Sequence, residues 1–140
     1  MSGSVSRTLF VATDGYADRL IDGSPVTGSS QGLGRALVEA VLAAGERAVA
    51  TLRKPEQLAD LAQKYPSSQL LVQRLDVTSL EQIIEAFEAT RKHFGRLDVV
   101  VNNAGYGLQG EIEAIPEEKA RQLFEVLFWG PVRITKEVWS

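Results

Sequence analysis

Short apolar runs alternate with helix-like segments along most of the chain, and this alternation limits the possible folds more than any other feature of the sequence. Three runs, residues 48–52, 70–75 and 97–101, are rich in apolar residues and lack a clean polar–apolar alternation. Such runs are typical of strands that are buried on both faces of a parallel sheet. Because helical segments separate them, we predict an α/β protein built from successive βα units.

Two helical segments precede residue 66. In residues 32–44 the apolar side chains recur at helical spacing, and Gly45 stands where a helix cap is expected. Residues 55–65 begin with Pro55, and proline is favoured at the first position of a helix. The side chains predicted to face the core from these two segments are Leu33, Leu37, Val41, Ala44, Leu58, Leu61 and Ala62.

The third helical segment carries the clearest boundary signals. Ser79 and Gln82 form a capping-box pattern at its start, and Gly95 follows its end. A fourth segment begins near Pro116, and the Gly130-Pro131 pair is expected to bend or break it because proline cannot donate a backbone hydrogen bond. The predicted apolar faces consist of Leu80, Ile83, Ile84, Phe87 and Phe94 in the third segment, and of Leu123, Phe124, Leu127, Ile134 and Val138 in the fourth.

The first strand of such a sheet is irregular in this sequence. Thr8–Val11 has the composition of a strand, whereas residues 22–25, directly before Val26 and Thr27, are turn formers. We therefore predict that residues 12–25 interrupt the first strand. Residues 1–25 would then form an irregular N-terminal segment, and residues 26–140 the main domain.

A glycine-rich stretch, residues 27–34, precedes the first helical segment. Its glycines at positions 28, 32 and 34 follow the spacing Gly-x-x-x-Gly-x-Gly. Such a loop lets a pyrophosphate approach the backbone closely, and the helix that follows offers its N–H groups and a partial positive charge to the phosphates. Taken alone, these glycines also fit an ordinary loop. A P-loop is excluded because no Gly-Lys-Ser/Thr follows the glycines.

Four motifs together resemble the short-chain dehydrogenase/reductase family. Residues 27–34 match its Thr-Gly-x-x-x-Gly-x-Gly cofactor motif, and Asn102-Asn103-Ala104-Gly105 matches its second signature. Asp76-Val77-Thr78 resembles its adenine-contacting segment, and residues 94–98 resemble the sequence that leads to the second signature. The resemblance runs from about residue 26 to the end of the chain. It implies a three-layer, Rossmann-like, doubly wound parallel sheet that is incomplete, with about four strands in the order 3-2-1-4.

The resemblance also assigns roles to individual residues. It implies that the glycine-rich loop lines the pyrophosphate and its ribose, that Asp76 and Val77 bracket the adenine, and that the second signature supports the cofactor and the central sheet. Singly, these segments also fit structural roles, a strand-end cap for Asp76 and a turn for Asn102-Asn103. The implied cofactor-binding residues are Gly28, Ser29, Ser30, Gly32, Leu33, Gly34, Asp76, Val77, Asn103, Ala104 and Gly105.

The residues at the end of the second strand indicate which dinucleotide is bound. An NAD-specific site places an acidic residue there to accept a hydrogen bond from the ribose 2′-hydroxyl, but this chain has Arg53 and Lys54. A 2′-phosphate favours the planar, bidentate guanidinium of Arg53, to which Lys54 adds a point charge. The alternative is that both cations lie in a solvated loop. We predict that Arg53 contacts the cofactor and that NADP(H) is preferred over NAD(H).

The catalytic residues that the family resemblance implies are absent from this sequence. The family uses a Tyr that is followed four residues later by Lys, together with a Ser and a helical Asn. The tyrosines at positions 16, 65 and 106 are followed at that distance by Leu20, Gln69 and Gly110. Leu127, which has no hydrogen-bonding side-chain group, stands where the pattern has Asn. We therefore expect no catalytic residue here, as in a chain that is truncated before the active site.

Composition narrows the classes of partner. A net charge of −3 argues against a nucleic-acid interface, which requires a basic face. No apolar run approaches the roughly 18 residues of a membrane helix, and no secretory leader or transit peptide is predicted, so a cytoplasmic protein is expected. With no cysteine, and with His93 as the single histidine, no metal site is predicted.

Two hypotheses for the function remain open. In the first, the chain is the NADP(H)-binding portion of an oxidoreductase whose intact relatives reduce carbonyls or oxidise alcohols, and it is inactive alone. In the second, it is a non-catalytic nucleotide-binding or subunit-interaction protein derived from that family. We expect either low stability or self-association of the isolated chain, the latter through the exposed strand edge at residues 97–101 or through the last helix. In the second hypothesis, Trp129, Ile134 and Trp139 of the last helix would form an interface with another subunit of the family.

Overall fold

The computed structural model describes residues 8–12 and 32–139, and its strands form one sheet. The strands β1 (Thr8–Ala12), β2 (Arg47–Leu52), β3 (Leu70–Arg74) and β4 (Val99–Asn102) lie in the order β3-β2-β1-β4. Each neighbouring pair is parallel. The described residues therefore confirm the predicted parallel sheet and its strand order.

The helices follow the strands in the expected alternation. Short 3-10 turns lead into two of them, at Pro55–Leu58 before α2 and at Ile112–Ala114 before α4. The helices of the described residues are α1 (Leu33–Ala43), α2 (Ala59–Lys64), α3 (Leu80–Phe94), α4 (Glu117–Phe124) and α5 (Gly130–Val138).

Alternate residues of β2 separate two hydrophobic cores. Ala50 belongs to a cluster with Val38 of α1 and Leu61 of α2, whereas Val49 belongs to a cluster with Phe87 of α3 and Ile134 of α5. Successive side chains of a strand point to opposite faces, so helices cover both faces of the sheet. The result is the predicted three-layer, doubly wound architecture.

β1 lies at the centre of the sheet. Its backbone pairs with β2 on one side and with β4 on the other. β1 contains Thr8–Val11, the segment predicted from its composition to be a strand. It also contains Ala12, which was predicted to lie in the interruption. The remainder of the predicted interruption, and the residues Val26 and Thr27 that follow it, lie outside the described residues. The domain boundary after residue 25 therefore stays a prediction.

α3 begins and ends where the sequence indicates. Ser79 is its N-cap, and the Ser79 side chain accepts a hydrogen bond from the Gln82 N–H at 3.4 Å. Gln82 does not complete the capping box, because its side-chain oxygen accepts from the Asp76 N–H at 2.9 Å instead. Gly95 ends the helix with φ 72°, a left-handed conformation that glycine adopts without strain.

Several residues assigned to apolar helix faces are exposed, and these assignments were wrong. Hydrophobic periodicity overlooks small or polar residues, and here Gly34, Ala86 and Thr90 occupy core positions. The core stripes of α1 and α3 are therefore displaced from those that large apolar residues define. The residues predicted to face the core that are exposed instead are Leu33, Ala44, Ala62, Leu80, Ile84, Phe124, Leu127 and Val138.

The helix after Pro116 continues past Gly130-Pro131 instead of breaking there. Between α4 and α5 lies a π-helical turn, Glu125–Trp129, in which the Gly130 N–H donates to the Glu125 carbonyl five residues earlier. Because Pro131 has no N–H, the regular hydrogen-bonding pattern cannot pass through it, and a wider turn accommodates the loss. Of the two predicted alternatives the break is therefore wrong, and the irregularity lies directly before Gly130.

β4 is an edge strand, as expected. It begins at Val99 rather than at Leu97, which packs against the core beside α3. Arg96 and Asp98 form an ion pair in the turn that precedes β4. Val99 is 45% exposed, so the predicted burial on both faces does not hold for this strand. Within the described residues, the outer edge of β4 is unpaired with any other strand.

Candidate functional site

The carboxyl ends of the four strands meet at one edge of the sheet. In the strand register, Ala12 lies opposite Thr51 and Asn102, and Leu52 lies opposite Arg74. The predicted cofactor-binding residues of the following loops, at positions 53, 76–77 and 103–105, therefore lie along the same edge. Open α/β sheets bind their ligands at this edge, near the point where the strand order reverses.

α1 begins at this edge. It ends before β2, whose first residue, Arg47, lies opposite Thr8, the first residue of β1, so α1 runs from the carboxyl edge to the amino edge. Gly32 is its N-cap in an extended conformation (φ −118°, ψ −161°), and the Ala36 N–H donates to the Gly32 carbonyl at 3.1 Å. The first N–H groups of an α-helix have no acceptor within the helix, and those of α1 lie at the carboxyl edge.

The glycine-rich loop is described only in part. Gly34 is buried and Leu33 is 83% exposed, so Leu33 lies outside the core at the helix start, where the family resemblance places it beside the pyrophosphate. Gly28, Ser29 and Ser30 lie outside the described residues. Their predicted contacts with the cofactor stay predictions.

Three cationic residues lie at one corner of the carboxyl edge. Arg53 is half-buried and Lys54 is exposed directly after β2, and Arg74 is exposed at the end of β3. The register brings Arg74 beside Leu52, the residue before Arg53. The sequence analysis missed Arg74, although the predicted order 3-2-1-4 already made β2 and β3 neighbours and could have indicated it.

A hydrogen-bonded turn holds Asp76. The Asp76 carboxylate accepts from the Thr78 N–H at 2.9 Å and from the Thr78 hydroxyl at 2.7 Å, while the Asp76 N–H donates to Gln82. Asp76 thus caps the strand end, as the structural alternative supposed, and also lies at the ligand-binding edge. Val77 is only 1% exposed and belongs to the core, whereas Asp76 is half-buried, so the predicted contact of Val77 with the adenine stays a prediction.

The second signature follows β4 and contacts the last helix. Asn103, Ala104 and Gly105 are half-buried, and a Cβ atom added to Gly105 would lie 2.7 Å from Cδ2 of Leu127. The structure therefore brings Leu127 against this signature. Leu127 presents an aliphatic side chain there, 47% exposed.

The tyrosines and the histidine of the described residues have structural surroundings. Tyr65 and Tyr106 pack against the two cores, and Tyr16 lies outside the described residues. His93 is exposed, with Nε2 2.6 Å from the Ser67 carbonyl oxygen. Among residues 8–12 and 32–139 there is no cluster of three or more side chains suited to a metal ion.

Arg35 joins the start of α1 to α2. It pairs with Glu39 at 2.9 Å and also with Asp60. The hydrogen bond from Arg35 holds the pKa of the Asp60 carboxyl below its usual value, and the same bond raises the pKa of Arg35. Because two carboxylates surround it, Arg35 serves to fix α2 beside α1 at this end of the sheet.

No helix in the described part of the chain has the length and apolar character that crossing a membrane requires. Residues 25–140 match the family model of the short chain dehydrogenases. An uncharacterized oxidoreductase of Schizosaccharomyces pombe is 43% identical over 112 residues, which are 80% of this chain and 37% of that protein. The NADPH-dependent 3-dehydrocapnine reductase of Ornithobacterium rhinotracheale is 36% identical over 116 residues, 81% of this chain and 40% of that protein.

A solved short-chain dehydrogenase from Streptomyces avermitilis has a similar structure. It aligns with a TM-score of 0.79 and 35% sequence identity, over 98% of this chain and 44% of that one. The chain thus spans less than half the length of each of these three relatives. The family match begins one residue before the stretch in which the four motifs were found. The chain belongs to the short-chain dehydrogenase family of oxidoreductases.

Proposed function

We propose that this chain binds NADP(H), as the dinucleotide-binding portion of an oxidoreductase that reduces carbonyls or oxidises alcohols. The observation that carries the proposal is the convergence of the start of α1, Asp76 and the second signature on one sheet edge. A similar protein is named as an NADPH-dependent reductase. When bound, the nicotinamide supplies or accepts the hydride.

The preference for NADP(H) is supported by charge at one corner of the site. Arg53 and Lys54 follow β2, and Arg74 ends the neighbouring strand. In this arrangement Arg53 would hold the 2′-phosphate by a charge-assisted, bidentate contact, with the other two cations adding to the local positive potential. The start of α1 would hold the pyrophosphate through its N–H groups.

We further propose that these 140 residues bind the dinucleotide without turnover. Hydride transfer in this family depends on an acid–base group held close to the reacting carbonyl. The sequence contains no Tyr-x-x-x-Lys, and the described tyrosines, Tyr65 and Tyr106, pack against the cores. Leu127 occupies the position of the helical Asn without a hydrogen-bonding group. A cytoplasmic location also stays a prediction.

Direct titration with both dinucleotides tests the binding proposal. We expect NADPH to bind at least about tenfold more tightly than NADH, because a hydrogen bond to a charged group contributes roughly 1.5–3 kcal/mol and about 1.4 kcal/mol corresponds to a factor of ten. Nicotinamide fluorescence measures both dissociation constants. Equal affinities, or tighter binding of NADH, would show that Arg53 does not bind the 2′-phosphate.

The second hypothesis, a subunit-interaction role, is favoured by the exposed surface of α4 and of the π-helical turn that follows it. A groove of about 450 Å³ on this surface is lined by Glu117, Ala120, Arg121, Phe124, Glu125 and Trp129, none of which belongs to the candidate cofactor site. Phe124 is 64% exposed and Trp129 is 47% exposed. Large apolar side chains that are exposed together mark interaction surfaces.

We propose that a second copy of the chain covers this groove. Acidic residues lie at the start of α4 (Glu117, Glu118), and Arg133 and Lys136 lie in α5. These charges do not select the partner, because Arg121 already pairs with Glu117 and Arg133 with Glu125 within the chain. The proposal rests on the exposed Phe124 and Trp129, which the same surface of a second copy would cover in a two-fold dimer.

Replacing Phe124 by glutamate tests this second proposal. The wild-type chain is expected to sediment as a dimer at micromolar concentration, and the variant is expected to have an association constant at least about tenfold lower, since exposed aromatic anchors contribute most of the binding free energy of an interface. Leu80→Glu, at a 52% exposed leucine of α3, is the matched control. A wild-type monomer at this concentration, or equal weakening by both substitutions, would contradict the proposal.

A further inference from the structure

The helical turn from Leu127 to Gly130 lies against two loops of the candidate site. A Cβ atom added to Gly130 would lie 2.9 Å from Cγ2, 3.1 Å from Cβ and 3.3 Å from the carbonyl oxygen of Val77. A Cβ atom added to Gly105 would lie 2.7 Å from Cδ2 of Leu127. One turn of helix therefore touches both the loop after β3 and the signature after β4.

The contact between Gly130 and Val77 leaves no space for a side chain. Gly130 is buried and Val77 is 1% exposed, so neither residue can move into solvent without opening the core. Valine has a stiff first side-chain torsion, and rotating it would not move the Val77 carbonyl oxygen out of contact. Because protein interiors are close-packed, an added methyl group must displace the Val77 backbone or the helix.

The π-helical turn brings Gly130 to this position. The Gly130 N–H bonds to the carbonyl of Glu125, five residues earlier, so the turn contains one residue more than a regular α-helical turn. One additional residue rotates all later positions by roughly 100° about the helix axis. α5 consequently presents its only glycine, and not a neighbouring side chain, to Val77.

We propose that Gly130 is a positioning residue for the adenine end of the cofactor site. Its lack of a side chain lets the helix press on the side chain of Val77, and this contact fixes the backbone of Val77 and of the adjacent Asp76. Hydrogen bonds to Gln82 and Thr78 also hold the Asp76 loop. This inference rests on the proposed function, in which the loop that contains Asp76 and Val77 binds the adenine.

The test is a double-mutant cycle on Gly130 and Val77. Gly130→Ala is expected to raise the dissociation constants of NADPH and of 2′,5′-ADP by similar factors, each about tenfold, which corresponds to about 1.4 kcal/mol and lies in the range of overpacking effects. Val77→Ala removes the Cγ2 that the new methyl group would meet. Cβ and the carbonyl oxygen of residue 77 would still lie 3.1 Å and 3.3 Å from that methyl group. The double variant is therefore expected to bind more weakly than Val77→Ala, but by a smaller factor than separates Gly130→Ala from the wild type, so that the two substitutions are not additive.

Gly107→Ala is the matched control, because a Cβ atom at Gly107 would meet nothing within 4 Å. Its dissociation constants are expected to equal those of the wild type. All titrations are made at a temperature at which circular dichroism shows every variant folded.

Three outcomes would overturn the positioning role. They are a Gly130→Ala variant that melts at a lower temperature but binds both ligands normally, additive effects in the cycle, and a loss of NADPH affinity without a loss of 2′,5′-ADP affinity. A wild-type chain that binds neither ligand would overturn the proposed function, and this inference with it.

Discussion

Replacing Arg53 by glutamate is expected to reverse the dinucleotide preference of this protein. The substitution removes the guanidinium proposed to hold the 2′-phosphate and places a carboxylate at the end of β2, where NAD-specific sites use an acid to accept from the ribose 2′-hydroxyl. NADPH would lose a charge-assisted contact and gain a like-charge repulsion, whereas NADH would gain a hydrogen bond. We expect the ratio of the two affinities to change by about 100-fold or more, since each charged hydrogen bond contributes roughly 1.5–3 kcal/mol.

Lys92→Glu provides the matched control for Arg53→Glu. It makes the same charge change in the last turn of α3. Because α3 begins at the carboxyl edge of the sheet and extends toward the opposite edge, Lys92 lies far from the proposed 2′-phosphate. We expect it to leave the ratio of the two dissociation constants unchanged. If the two substitutions lower NADPH affinity equally, and more strongly at low salt, the effect is a long-range one of net charge, and Arg53 does not contact the phosphate.

The parallel sheet could be predicted because the signals for it are local, whereas its strand order followed only from the family resemblance. Gly45 and Gly95 end helices in the left-handed conformation that their identity indicates, and Ser79 begins α3. Between such boundaries the strands are short apolar runs, and runs separated by helices can form a parallel sheet only through crossover connections. The motif that places the start of α1 at the carboxyl edge is equally local.

Which apolar residues are buried could not be predicted with the same success. The apolar face assigned to α3 contains both Leu80, which is 52% exposed, and Phe87, which is fully buried. Their hydrophobicity is similar, and the difference arises because the sheet covers only the stripe of α3 that contains Ile83, Ala86 and Phe87. Tertiary contacts, which the helical period does not contain, decide that stripe.

Contacts between distant segments were also beyond the sequence analysis. Arg74 becomes part of a cationic corner only through its register with Leu52, and the side chain of Val77 is directed to Gly130 only because a π-helical turn precedes that glycine. Nothing in the local sequence specifies five-residue rather than four-residue hydrogen bonding in that turn, apart from the nearby Pro131. The candidate site was therefore predicted as a set of segments, without the packing that holds the segments together.

Replacing Phe87 by alanine is expected to lower the free energy of unfolding by about 3–5 kcal/mol, the range for deletion of a fully buried aromatic ring. Phe87 is 0% exposed and lies in the core cluster that joins α3 to β2, the loop after β3, and α5. The substitution leaves a cavity bordered by several elements, so no single side chain can fill it. Because small domains are stable by only about 5–15 kcal/mol, the variant should be partly unfolded near physiological temperature. Urea denaturation followed by circular dichroism measures the change.

Leu80→Ala on the same helix distinguishes the cavity from a general effect on α3. Leu80 is 52% exposed at the first position of the helix, so we expect its truncation to change the free energy of unfolding by less than about 1 kcal/mol. Both substitutions replace an apolar residue with a stronger helix former, so helix propensity works against the loss expected for Phe87→Ala. A similar decrease in the free energy of unfolding for both variants would mean that the exposed side of α3 is also covered in solution. The conclusion that Leu80 lies outside the core would then be wrong.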